Sequence, residues 1–142
     1  MALVNRAGHR TLAIWALACA ERVLPYFEAA RPGDGRPRAA LQTLQDWVDT
    51  GVFRMAVVRK SALDSHAAAR DVGADSPARS AARAAGQAVA TAHVRTHAIG
   101  APQYALQALD RATPPVETAA VLARERDWQR QRLRELLAVE PF

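Results

Sequence analysis

The sequence predicts an all-α protein, a single-domain bundle of about six mostly antiparallel helices over residues 1–142. Three observations point there. Apolar residues recur at helical spacing through most of the chain. Alternation of apolar and polar residues is not sustained anywhere; FRMAVV (53–58) is the only stretch arguable as a strand, and helical pattern flanks it. Proline and glycine punctuate the pattern at short intervals, which leaves short loops and makes sequential helices neighbours. Half of the 142 residues are hydrophobic, enough to build a core and to exclude disorder.

The first helix is expected from His9 to about residue 30. Leu12, Trp15, Cys19 and Val23 make one stripe and Ile14, Leu17 and Leu24 a second flank, so neighbours should cover most of its circumference. Arg6 and Arg10 ahead of TLAIWALACA give it a superficial likeness to a signal peptide. The run continues as an amphipathic helix and is too short to span a bilayer, so it reads as a core helix. Pro25 should kink or interrupt it, leaving Tyr26 and Phe27 on a short continuation. RPGDGRP (31–37), with two Gly, two Pro and an Asp, is a loop.

A second helix runs from Pro37 to Thr50 with Leu41, Leu44, Trp47 and Val48 inward, and Gly51 ends it. A third spans Val52 to Asp71. The central helix follows in SPARSAARAAGQAVATAHVRTHA (76–98): Ser76 suits the cap, Pro77 the first turn, and alanine fills the interior. Ala82, Ala85, Gly86, Val89, His93 and Thr96 share its small face, which lets other helices approach closely. A fifth helix starts near Pro102. The last runs from Pro114–Pro115 to about Val139, with Val121, Leu122, Trp128, Leu133 and Leu136 as its apolar positions.

Composition narrows the function. The net charge of +5 favours acidic partners, but carboxylates are interspersed and no basic tail exists. The single cysteine, Cys19, excludes an intramolecular disulfide and fits a reducing cytoplasm. It sits in an apolar stripe, as a structural cysteine does. Lys60 precedes Ser61 without the glycines of a phosphate loop, so nucleotide hydrolysis is not expected.

Three constellations carry candidate chemistry. His93 and His97 lie four apart, the spacing of two metal ligands on one helical face, with His66 or His9 as a third ligand brought in by folding. The glutamate of a metalloprotease helix is missing between them. His66 with Arg70, and Arg79 with Arg83 and Gln87, form rows that could meet Glu21 or Asp46 in a polar network or an anion pocket. Arg126, Arg130 and Arg134 stripe the last helix, diluted by Glu125, Asp127 and Glu135, with Trp128 placed to stack on Arg132. That dilution argues for a solvated face over a phosphate-tracking one.

HRTLAIWALACAERVLPYFE (9–28), DGRPRAALQTLQDWVDTG (34–51), SHAAAR (65–70) and AARAAGQAVATAHVRTHA (81–98) together resemble a family of small bacterial helical immunity proteins. The likeness resumes at YALQAL and at RERDWQ. Some members carry the label exonuclease SbcC, whose ATPase motifs this chain lacks. The resemblance implies a compact helical domain that binds and neutralises a cognate toxin, without cofactor or catalytic residues of its own. It implies that His9, Arg10, Arg36, Arg38, Trp47, His66, Arg83, His93 and His97 occupy motif positions, which with Arg70 makes them candidates for a partner or ligand pocket. The alternatives are a small nucleic-acid-associated protein and a metal-dependent enzyme centred on His93 and His97. A homodimer is compatible with the sequence, and no membrane association is expected.

Overall fold

The computed structural model describes residues 2–141. Eight α-helices and one 3-10 helix make up its regular structure: α1 (Ala2–Arg6), α2 (His9–Glu21), α3 (Leu24–Ala30), α4 (Arg36–Thr50), α5 (Met55–Val72), α6 (Pro77–Ala90), the 3-10 helix (Arg95–Ile99), α7 (Gly100–Ala112) and α8 (Pro115–Ala138). The all-α expectation holds, with eight helices in place of about six.

The axis is α6. The Ser76 hydroxyl accepts a hydrogen bond from the Arg79 amide at 3.2 Å, and Pro77 sits in the first turn, where its missing N–H leaves no bond unmade. Nine of its residues are buried, seven of them alanine or glycine. Helices α2, α3, α4, α5 and α7 all pack on it. Its closest neighbour, α5, is small on the facing side too. Ser65, Ala68 and Ala69 are fully buried, and the Ser65 hydroxyl donates to the Ala82 carbonyl at 2.8 Å. Small side chains on both helices bring the backbones close enough for that bond.

α6 ends eight residues earlier than the sequence predicts. The Thr91, Ala92 and His93 amides fold back three residues, onto Ala88, Val89 and Ala90, and Val94 is extended. His9 Nε2–H on α2 donates to the Thr91 carbonyl. These bonds occupy carbonyls that a helix end leaves open. Alanine content alone favours continuation, but tertiary bonding and the β-branched Thr91, Val94 and Thr96 override it.

Two further differences have local causes. The predicted 9–30 helix breaks at Arg22–Val23, two residues before Pro25, and Pro25 stands in the first turn of α3. α1, too short to show periodicity, is held by Arg95, whose Nη2 donates to the Val4 and Ala7 carbonyls at 3.2 and 2.6 Å.

α8 packs through a polar stripe. Its buried residues are Glu125, Gln129 and Leu133, one turn apart, whereas the predicted positions Val121, Leu122, Trp128 and Leu136 are only half-buried. Trp15 Nε1–H on α2 donates to the Gln129 carbonyl at 2.8 Å, and Gln129 Nε2–H donates to the Pro102 carbonyl at 3.1 Å. The buried Trp15 and Gln129 donors thereby find acceptors.

Candidate protein-binding face

The corner between α4 and α5 carries the main apolar surface of the molecule. Gly51 ends α4 with φ +71°, a left-handed conformation that glycine adopts at no steric cost. The chain then crosses to α5 through residues 52–54, and the predicted helical start at Val52 moves to Met55. Val52, Phe53, Met55, Val57 and Leu63 are all exposed here, Val52 and Leu63 by more than half. Two grooves open on either side of the buried Val58. The first, about 450 Å³, is lined by Trp47, Val52, Arg54 and Val57 among others. The second, about 300 Å³, runs between Met55, Arg59, Leu63 and His93. Phe53 stacks on His93 with ring centroids 5.8 Å apart and 16° between planes.

The residues singled out from the sequence fall into separate groups. His9 is half-buried between the Thr91 carbonyl and Trp47, ring centroids 4.8 Å apart. Arg10 Nε–H donates to the Val48 carbonyl at 3.1 Å, so both fasten α2 to its neighbours. Arg36 grips Asp34 and Asp71 at 2.7 and 2.6 Å, and Arg38 grips Glu28 at 2.8 Å. Those arginines hold the Asp34 and Glu28 carboxyls below the usual carboxylate range and clasp the 31–35 loop.

His66, Arg70, Arg83 and His97 form the third group, at the junction of α5, α6 and the 3-10 helix. The His66 ring lies against Gly86: a Cβ there would stand 2.7 Å from Cε1 and Nε2. Its buried Nδ1 has no protein hydrogen-bond partner. Burial first, then the charges of Arg83 and Arg70 with a further contribution from His97, push its pKa down to about 4. His97 Nδ1 meets the Gln87 side-chain oxygen at 3.2 Å.

His93 and His97 do not share a helical face, because α6 stops at Ala90. His93 stands at the apolar corner and His97 beside Gln87. Among the described residues no group of three or more His, Cys, Asp or Glu side chains is placed to hold a metal ion. The proposed meeting with Glu21 or Asp46 is also absent. Asp46 accepts from Gln42 on its own helix at 2.9 Å, and Arg79 turns to the Gly73 carbonyl and Asp75.

A family model described as Imm-5 like putative immunity protein matches residues 2–136, from α1 through nearly all of α8. The chain belongs to this immunity-protein family. No curated protein and no solved structure matches it.

Within this immunity-protein chain, sequence reasoning missed one site of structural weight. Arg22 at the end of α2 meets the Glu125 carboxylate on α8 with Nη2–Oε1 2.7 Å and Nε–Oε2 2.9 Å. Its guanidinium lies 3.9 Å above the Trp128 ring. Trp128 therefore stacks on Arg22 and not on Arg132, which pairs with Glu135 at 3.3 Å. Glu125 sat inside an apparently solvated charge run, and nothing local distinguished it. Cys19 is fully buried beside this pair, and burial with the Glu125 charge pushes its thiol pKa up. No helix among the described residues is long and apolar enough to cross a membrane.

Proposed function

We propose that this chain is a cytoplasmic, non-catalytic protein-binding domain that neutralises a cognate bacterial toxin. The family match across residues 2–136 carries this reading. The distribution of the polar residues supports it. Four of the motif positions fasten parts of the chain to one another, with His9 on Thr91, Arg10 on Val48, Arg36 on Asp34 and Asp71 and Arg38 on Glu28. The one thiol is buried with its pKa raised, so it is a poor nucleophile. Five large apolar side chains, Val52, Phe53, Met55, Val57 and Leu63, stay exposed at the α4–α5 corner, and a clustered apolar patch is the kind of feature that marks a protein partner.

Growth rescue tests the reading. Co-expression with the toxin encoded beside the gene is expected to restore growth, and the purified pair to form a complex. Killing that continues at full co-expression overturns the proposal. DNA affinity measured against salt separates the nucleic-acid alternative, because phosphate contacts give a steep salt slope.

A further inference from the structure

The corner between α4 and α5 combines two features. One is the cluster of exposed large apolar side chains around Val58: Val52, Phe53, Met55 and Leu63. The other is the state of the arginines among them. Arg54 lines the first groove and Arg59 the second, both exposed, and neither has an ion pair among the described residues. The second groove has no carboxylate in its lining, and the one at the first, Asp46, is engaged by Gln42.

We propose that this corner is the toxin-binding surface, and that it takes a partner segment whose bulky apolar side chain enters the Met55–Leu63 groove while flanking Asp or Glu residues pair with Arg54 and Arg59. The proposal rests on the immunity reading above and adds the chemistry of the partner. Arginine, methionine and phenylalanine are the residues enriched in interface cores, and unbranched Met55 can adapt to the side chain it receives. Desolvating two cationic groups is tolerable only where a partner supplies the opposite charge. That requirement also decides against a second copy of this chain. A two-fold contact sets the patch against itself, and its grooves carry two arginines against the single carboxylate Asp46, so a second copy brings more positive than negative charge to the contact.

The test uses the full chain and an inactivated form of the toxin encoded beside the gene, with affinity measured by titration calorimetry and neutralisation by growth rescue. Arg54→Glu with Arg59→Glu, and separately Leu63→Asp, are expected to weaken binding about tenfold or more each and to lose rescue. Val116→Asp, on α8 at a position 91% exposed, is expected to bind as the parent does. All these positions are exposed, and circular dichroism of each variant verifies that it folds. If the parent binds and both corner variants bind equally well, the surface is wrong and the immunity function stands. If the parent neither binds nor rescues, the immunity function falls and this proposal with it. If Leu63→Asp dissociates a dimer of the chain without changing toxin affinity, the corner joins two copies and the proposal is overturned.

Discussion

The His66 imidazole packs against Gly86, in the space that a side chain at residue 86 would need. This contact brings α5 and α6 together where both helices carry small residues. It gives glycine a reason to occupy mid-helix, where it costs about 1 kcal/mol relative to alanine.

Gly86→Ala is therefore expected to destabilise the protein by about 1–3 kcal/mol, despite the better helix propensity. The added methyl meets ring atoms at 2.7 Å, and the far side of the ring, at Nδ1, is buried as well, which restricts its retreat. In a His66→Ala background the same change should become neutral or stabilising by about 1 kcal/mol. Urea denaturation of the four-protein cycle measures this coupling; additive effects would show that the ring moves aside freely.

Stability should depend on pH through His66. Its pKa is about 4 in the folded chain against an ordinary value of 6.5, so between those values the unfolded chain binds the extra proton. Stability then rises with pH across that window and is lost as pH falls from about 6.5 to about 4. His66→Gln should flatten that part of the curve. Glu28 and Asp34, held low by Arg38 and Arg36, lose their contributions at more acid pH and do so in parent and variant alike.

Breaking the Arg22–Glu125 pair should be asymmetric. The Arg22 side chain is 41% exposed and that of Glu125 3%. Arg22→Ala strands a buried carboxylate and is expected to cost about 3–5 kcal/mol. Glu125→Gln leaves a guanidinium that water and Trp128 can still accommodate, so a cost of about 1–2 kcal/mol is expected. Thermal melts at neutral pH rank the two; equal costs would mean that Glu125 reaches solvent without its partner.

Cys19 is fully buried with its thiol pKa raised, so it should resist Ellman's reagent in the native protein and react completely once the chain unfolds. The reaction rate should follow unfolding. A fast native reaction would place Cys19 at the surface.

The sequence carries most of the scaffold and little of the site. Ser76, Pro77 and the alanine run locate α6, and Gly51 marks the end of α4, because capping and propensity act within a few residues. The end of α6 was hidden since its decisive bond comes from His9, on another helix. α8 misled for a related reason. Its inward stripe is Glu125 and Gln129, polar residues whose burial depends on Arg22, Trp15 and Pro102, and no local pattern announces them. The His93–His97 spacing had metal-site meaning only if the helix continued, and it does not. The candidate docking corner was not legible: FRMAVV (53–58) stood out only as a stretch arguable as a strand, and only packing shows that Phe53, Met55 and Val57 remain uncovered.

The corner that follows Gly51 stands apart from the alanine axis in one practical respect. Val52, Phe53, Arg54, Met55 and Leu63 lie outside the buried set that surrounds α6. Replacing them leaves the scaffold's interior contacts intact, so this surface can change one residue at a time without the interior having to repack around each change.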